Sequence, residues 1–142
     1  MSTYIRGDLG RARALYLLTM QDTCNRAMAD NWPYPRWCKF WADDEPMPLM
    51  AWLNRAYCDW YEIDGHRYVG HCDRLVWDDE TSRVFWKNDE EAISKAGEVI
   101  TVREPTPRNG HRDHRIRKFA VRVDNQEQGL HGWAIYGECT PD

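Results

Sequence analysis

The spacing of apolar residues changes from helical to strand-like about halfway along the chain. Apolar positions recur every three to four residues over 11–29 and again over 47–61, which predicts two amphipathic helices. From residue 63 onward apolar and polar residues alternate, as is typical of strands with one buried face. The pattern predicts a short helix over 89–96 and strands over 69–77, 83–86, 99–103, 116–123 and 130–136.

Turn residues separate these elements. The polar clusters at 78–82 and 105–114 are typical of loops, and the second contains two prolines and the pair Asn109-Gly110. Helices followed by strands indicate an α+β fold. We therefore expect two N-terminal helices packed on a mostly antiparallel sheet of about five strands, with one short helix inserted. Because no linker or repeat divides the 142 residues, they are predicted to form a single domain, 1–142.

Composition is compatible with a folded core. The chain has few aliphatic residues, but 8 Trp, 7 Tyr and 5 Met supply large buried surfaces instead. No apolar run is long enough to span a membrane, and the run at 14–18 is too short for a secretion signal. The five cysteines are odd in number and form no CxxC pair, which predicts reduced thiols and a cytoplasmic location.

Charge is unevenly distributed along the chain. The net charge is −4, yet residues 103–122 contain seven Lys and Arg against two acids. Acidic residues cluster instead at 43–45, 78–80 and 89–91. A basic strip on an acidic body creates a directional field, which bears on partners rather than on the fold.

The aromatic segment 32–41 is the most unusual stretch of the sequence. It combines three Trp, one Tyr and one Phe with two prolines, and an acidic run follows it. Aromatic side chains dominate interface hot spots, although the same rings are equally typical of a buried core. The predicted binding residues are Trp32, Tyr34, Trp37, Trp41, Asp43, Asp44, Glu45, Arg112, Arg115 and Arg117.

Signals for catalysis, metal and cofactors are weak. No phosphate-binding loop, GxSxG or HExxH motif is present. His71 and Cys72 are adjacent, so on a strand they point to opposite faces and do not join His66 in a zinc site. Neither a metal nor a cofactor is predicted. His71 and Asp73 share one face of the predicted strand, which leaves a small hydrolase using His66, His71 and Asp73 as an alternative.

The sequence alone favours a small acidic binding protein over an enzyme. Its aromatic and acidic segment indicates a protein partner with a basic surface. A phage or mobile-element inhibitor of a host nucleic-acid-processing or defence complex fits this pattern. The alternatives are the hydrolase and a nucleic-acid-binding module that uses the basic strip from Arg108 to Arg122.

Overall fold

A computed structural model describes residues 7–20 and 22–140 of the chain. Its centre is a five-stranded sheet in which every pairing is antiparallel, in the order β2-β1-β5-β4-β3. The strands are β1 Arg36–Ala42, β2 Leu49–Leu53, β3 Ile100–Arg108, β4 His111–Asn125 and β5 Leu130–Thr140. The first and last strands of the sheet region are therefore neighbours at its centre.

Helices precede the sheet and fill the connection between β2 and β3. They are α1 Leu9–Met20, α2 Thr23–Asn31, α3 Arg55–Tyr61, α4 Gly65–Tyr68 and α5 Asp79–Ser94, with a 3-10 turn at Asp73–Leu75. None of the helices in the described part is long and apolar enough to cross a membrane.

The two faces of the sheet carry different layers. On the outer face, Cys38 and Phe40 of β1 pack with Leu15 of α1. On the inner face, Trp37 packs with Tyr57 of α3 and Phe85 of α5. This division follows from the strand period of two, because successive side chains point to opposite sides. The predicted fold class, α+β with N-terminal helices on an antiparallel sheet of five strands, is confirmed.

The centre of the sheet depends on close contact between β1 and β5. Trp37 lies opposite Gly137, and Trp41 lies opposite Trp133. A Cβ atom at position 137 would collide with the indole ring of Trp37. The glycine therefore provides the space in which a large ring lies flat against the neighbouring strand.

The predicted N-terminal helices differ from the observed ones in their limits. The predicted helix 11–29 is two helices, and the Asp22 carboxylate caps the second by accepting from the Cys24 backbone N–H at 2.8 Å. The predicted helix 47–61 is strand β2 followed by α3. Asn54 separates them, because its side chain accepts from the Tyr57 N–H at 3.1 Å and begins the helix there.

The predicted central hairpin is wrong. Residues 65–68 form α4 and residues 73–75 form the 3-10 turn, with isolated bridges at Val69, His71 and Cys72 between them. The predicted strand 83–86 lies inside α5. The predicted helix 89–96 is the second half of that same helix. Aspartates begin both helices, since Asp64 accepts from the His66 N–H and Asp78 accepts from the Thr81 N–H. The polar cluster at 78–82 that suggests a loop contains the N-cap and first turn of α5.

Strands also form in two stretches for which the sequence pattern predicts neither helix nor strand. The aromatic segment continues into β1, and the polar region 105–114 lengthens β3 and β4 into a long hairpin. Only Asn109 and Gly110 form its turn, both with positive φ, at 52° and 79°. Asn and Gly tolerate this left-handed conformation, so the turn residues themselves are correctly identified by the sequence.

Candidate functional site

Five charged side chains meet in the interior between the inner face of the sheet and helices α3–α5. We call them the charge cluster: Lys39, Asp73, Asp89, Glu104 and Lys118. All five are buried, with exposed fractions of 2% or less. Charged residues are seldom buried this completely unless they are paired.

The charge cluster is a continuous ladder of ion pairs. Lys39 Nζ lies 2.6 Å from Asp73 Oδ2 and 3.0 Å from Asp89 Oδ2. Lys118 Nζ lies 2.6 Å from the other oxygen of Asp89 and 2.5 Å from Glu104 Oε2. Asp89 therefore bridges the two ammonium groups. A change of charge at one end of the ladder alters the electrostatic field at the other end.

Neutral donors complete both ends of the ladder. Asp73 accepts hydrogen bonds from the Tyr68 hydroxyl and, at 2.9 Å, from the Trp86 indole N–H. Glu104 accepts from the Asn88 amide at 3.0 Å. With three carboxylates against two ammonium groups, the charge cluster has one surplus negative charge when all its members are ionised.

Position along each element explains why these side chains converge. Lys39 and Lys118 occupy inward positions of β1 and β4, and Asp89 lies on the inward side of α5. Asp73 begins the 3-10 turn below them. The Phe85 ring lies near both lysines, 5.2 Å from the Lys39 Nζ and 6.0 Å from the Lys118 Nζ, which adds cation–π attraction.

The surroundings shift the pKa values of Asp89 and Glu104 in opposite directions. Burial disfavours the charged form of Asp89, but Lys118 and Lys39 outweigh it and lower the pKa of Asp89 below its ordinary value. Burial raises the pKa of Glu104 above its ordinary value of 4.5, because Lys118 only partly offsets it. The negative charge of Glu104 is therefore less stabilised than that of Asp89.

The Lys39 ammonium stays charged in this setting. Burial alone would lower its pKa, but Asp73, Asp89 and Glu104 raise the pKa of Lys39 above its ordinary value. The Tyr68 hydroxyl is held protonated by burial and by the nearby Asp73 charge, which raise the pKa of Tyr68. Tyr68 therefore acts as a hydrogen-bond donor to Asp73.

Little empty space remains beside the charge cluster. A cavity of about 10 Å³ lies among Trp37, Tyr61, Phe85 and Glu104. That is the space for about one water molecule. The inner side of this sheet is thus filled by the protein's own aromatic and charged side chains.

The sequence-predicted aromatic residues lie in several different places. Trp37 is 5% exposed on the inner face, whereas Trp32 is 39% exposed and lies under the Arg36 guanidinium, 4.9 Å from ring centre to Cζ. Tyr34 packs edge-on against Trp60. Trp41 is partly buried and donates from its indole to the Glu45 carbonyl at 3.1 Å.

The predicted acidic run pairs with arginines of the same chain. Asp43 holds the Arg122 guanidinium through two hydrogen bonds of 2.6 and 2.7 Å. Asp44 holds Arg11 in the same way, at 2.9 and 3.0 Å, and Glu45 lies 3.6 Å from Arg11. These bonds fix the β1–β2 connection to α1 and β4.

The predicted basic residues lie on strand β4. Arg117 pairs with Glu138, and Arg115 donates to the Thr140 hydroxyl at 3.1 Å. Arg112 is exposed near the hairpin turn. The structure therefore spreads the predicted aromatic, acidic and basic residues over separate surfaces and does not bring them together.

The hydrolase geometry does not assemble. Asp73 is buried against Lys39, Tyr68 and Trp86, whereas the His71 ring lies 3.3 Å from the Val69 carbonyl oxygen. The shared strand face is absent because Asp73 begins the 3-10 turn, whereas His71 lies before it in an isolated bridge to Gly7. Within the described ranges, no group of three or more His, Cys, Asp or Glu side chains is arranged to hold a metal.

Sequence reasoning missed four of the five members of the charge cluster. One signal was available: Lys118 shares its strand face with Ile116 and Ala120, and Lys39 shares its face with Trp37 and Trp41. A lysine in an otherwise apolar strand face indicates a buried charge that needs a partner. Asp89 and Glu104 have no comparable signal, since each lies in a polar stretch.

Comparison with known proteins identifies the fold. No family model and no curated protein matches the chain. Solved structures do match: the Rhodobacter sphaeroides LOV protein is 15% identical, with a TM-score of 0.51 over 81% of this chain and 62% of its own. The PAS domain of a Colwellia psychrerythraea protein is 8% identical, with a TM-score of 0.53 over 83% of this chain and 95% of its own.

A third similar structure is Vibrio cholera VqmA in complex with ligand and DNA. It is 14% identical, with a TM-score of 0.55 over 83% of this chain and 50% of its own. The chain spans less than two thirds of the LOV and VqmA chains and nearly all of the PAS domain. At these identities the likeness shows the fold alone, and that fold is the one shared by PAS and LOV sensor domains.

These similarities overturn the predicted function. The structural neighbours are sensor and ligand-binding proteins, so the prediction of a viral or mobile-element inhibitor is wrong. Its main observations also have another explanation: Trp37 is core, and the acidic run pairs with Arg11 and Arg122 of its own chain.

A flavin, which the LOV likeness implies, does not fit the residues present. Ligand sites of drug-like size need roughly 300–1,000 Å³, and the inner cavity holds about 10 Å³. The remaining space is taken by the charge cluster and by the rings of Trp37, Tyr57 and Phe85. An extended apolar ring system would displace buried ion pairs and leave their charges uncompensated.

Proposed function

We propose that this chain is a sensory domain of the PAS and LOV structural class in which the charge cluster is the responsive element. The stimulus is the uptake of one proton by the cluster. The observation that carries the proposal is the ladder itself, three buried carboxylates against two buried ammonium groups on the inner face. Glu104 is the member that takes the proton.

Stability alone is a poor explanation for this ladder. Buried ion pairs cost desolvation energy, and apolar replacements of similar volume are often as stable or more so. A cluster with unequal charge has, in contrast, two states that differ by one proton. Because Asp89 bridges both lysines, neutralising Glu104 changes the field at Lys118 and, through Asp89, at Lys39.

The short helical elements next to the charge cluster are suited to a change in conformation. Helices α3 and α4 have 7 and 4 residues, and the 3-10 turn has 3. Such short elements have few internal hydrogen bonds, so their positions depend on the side chains they pack against rather than on helix propensity. Asp73 links the 3-10 turn to the ladder, so a change in the ladder reaches this segment directly.

The test follows the Trp86 indole N–H, which donates to Asp73, by NMR as pH is varied. We expect its signal to shift with a midpoint above pH 4.5, and we expect Glu104→Gln to abolish that shift because the side chain no longer ionises. Proton uptake would disturb a hydrogen bond at the far end of the ladder. An unchanged titration in Glu104→Gln would overturn the proposal.

Other groups near Glu104 need their own controls. Lys118, Asp89, Lys39 and Asn88 face it from three elements, and His114 is its cross-strand neighbour. Histidine titrates close to neutral pH. The Trp86 titration should therefore persist in His114→Gln, which separates the imidazole from the carboxylate.

The remaining parts of the proposal concern organisation. We propose that residues 1–142 act as one domain, supported by α1 packing on a sheet whose strands reach residue 140. We also propose a cytoplasmic location, supported by five cysteines none of which is in a disulfide. The recipient of the signal is proposed to be a protein, supported by the exposed Leu17 and Met28 on the N-terminal helices.

A further inference from the structure

A second concave surface lies outside the sheet interior. It is a groove of about 620 Å³ between α1 on one side and α3 and α4 on the other, with β2 as its floor. This volume is within the range of small-molecule sites. The groove shares no lining residue with the cavity beside the charge cluster.

Backbone contacts hold both ends of the groove. At one end, the Asp8 N–H donates to the Gly70 carbonyl at 2.6 Å. The φ of Gly70 is +86°, and a Cβ there would lie only 3.0 Å from the Leu9 Cα. At the other end, the Asn54 amide donates to the Ala29 carbonyl at 2.9 Å. The walls are therefore fixed before any ligand arrives, which reduces the entropy lost on binding.

The charges along the groove favour an anion. Arg13 lines one wall, and Arg55 and His66 line the other, against the single carboxylate of Asp30. Among the described residues, nothing pairs with the guanidinium of Arg13 or Arg55. By contrast, Arg11, Arg36, Arg74, Arg103, Arg117 and Arg122 pair with carboxylates of the chain.

The floor of the groove is apolar. Ala12 of α1, Leu53 of β2 and Val69 line it, and Leu9 at its rim is 45% exposed. Apolar surface beside guanidinium groups matches a molecule with an anionic head and a short apolar body. A volume of about 620 Å³ and held ends fit a small molecule rather than an extended chain.

We propose that this groove binds an amphipathic anion, whose head group is held by Arg13 and Arg55 and whose apolar body lies on β2. The head group is a carboxylate or a phosphate monoester, since a guanidinium recognises both. This site is independent of the charge cluster, so either proposal can fail alone.

Calorimetric titration with octanoate and with octyl phosphate tests the proposal on the full chain. We expect saturable binding of at least one of them and weaker binding of 1-octanol, which lacks the charge. Arg13→Gln and Arg55→Gln should each weaken binding about tenfold or more, because each removes charge-assisted hydrogen bonds. Octanoate should bind more tightly than butyrate, by up to about fourfold per buried methylene.

Two variants control for indirect effects. Arg112→Gln removes an exposed arginine from the distant hairpin and should leave octanoate binding unchanged. Glu104→Gln should also leave it unchanged, which separates this site from the sensory proposal. Location is read from Trp52, which lines the groove and whose indole N–H donates to Thr19 at 3.0 Å. The NMR signal of that N–H should shift on binding.

Three results would overturn the proposal. One is the absence of binding by both anions at about 1 mM. Another is equal affinity for 1-octanol and octanoate, which would indicate hydrophobic binding without recognition of the charge. The third is retention of full affinity in the Arg13→Gln, Arg55→Gln double variant while its thermal unfolding matches that of the parent protein.

Discussion

At the scale of single residues, the most informative side chains are the two buried lysines. Lys39 and Lys118 replace apolar residues at inward strand positions, and each is held by two carboxylates. A buried ammonium group without such partners would be neutralised or would unfold its surroundings. Removing any one of these charged side chains therefore leaves another buried charge without its partner.

Removing one lysine should reveal this mutual dependence. Lys118→Met is expected to lower the free energy of unfolding by about 3–5 kcal/mol, because it leaves Asp89 and Glu104 buried with a single ammonium group. The measurement is equilibrium denaturation in urea at neutral pH. Lys87→Met, on the exposed side of α5, is the matched control and should stay within about 0.5 kcal/mol of the parent.

A second substitution tests whether charge is the cause. Glu104→Gln in the Lys118→Met background removes one of the uncompensated charges and should recover part of the lost free energy of unfolding. If the two substitutions are simply additive, the ion pair contributes nothing and the loss arises from packing.

Glu104 should also affect the pH dependence of stability. Its pKa is raised in the fold, so between pH 4.5 and that raised value the folded chain binds more protons than the unfolded one. The contribution of Glu104 to stability is therefore present below this window and decreases as pH rises through it. The free energies of unfolding of the parent and of Glu104→Gln are measured from pH 4 to 7. As pH rises, the variant should become more stable relative to the parent. The opposite trend would contradict a raised pKa of Glu104.

At the scale of elements, Asn54 joins three parts of the chain. Its side-chain oxygen accepts from the N–H groups of Arg36 and Tyr57, and its amide donates to the carbonyls of Ala29 and Tyr34. It therefore begins α3 and fixes the end of α2 and the start of β1.

Truncation of Asn54 should cost more than the loss of an ordinary helix cap. Asn54→Ala leaves several buried backbone groups without partners, and we expect a loss of about 2–4 kcal/mol in the free energy of unfolding. Asp22→Ala removes the exposed cap of α2 and should cost about 1 kcal/mol. Chemical denaturation of both variants compares them, and equal losses would contradict the buried role of Asn54.

Elements differ in how well local sequence predicts them. The strands over 116–123 and 130–136 and the Asn109-Gly110 turn follow from alternation and turn chemistry, and the structure has them within longer strands. Residues 83–86 are misread because their short apolar run fits either a strand or a buried helix face. Segment 32–41 is misread because its prolines end just before β1, where they no longer interrupt pairing.

The candidate site is harder to predict than the fold class. Lys39 and Asp89 are 50 residues apart in the chain yet share a hydrogen bond. Their meeting depends on the strand order, which places β1 beside β5 and beneath α5, and no local pattern contains that order. The alternation around Lys118 indicates that it is buried, but not which acids it contacts.

At the scale of the whole molecule, the fold resembles that of cofactor-binding domains, but the interior has no room for a cofactor. The fold is similar to that of solved PAS and LOV domains. The interior, however, is occupied by side chains and leaves only about 10 Å³. We therefore expect purified protein, refolded or expressed with excess flavin mononucleotide, to lack the visible absorbance of bound flavin after gel filtration.

A cavity-creating variant tests whether the charge cluster, and not only the lack of space, excludes flavin. Trp37→Ala removes a large ring from the inner face, and should increase the cavity while costing about 3–5 kcal/mol in the free energy of unfolding. It should still not bind flavin, because Lys39, Asp89 and Lys118 continue to occupy the centre and an apolar ring would leave their charges unpaired. Stoichiometric flavin in the parent protein would show that the charge cluster can open, and it would move this chain to the cofactor-binding members of the fold.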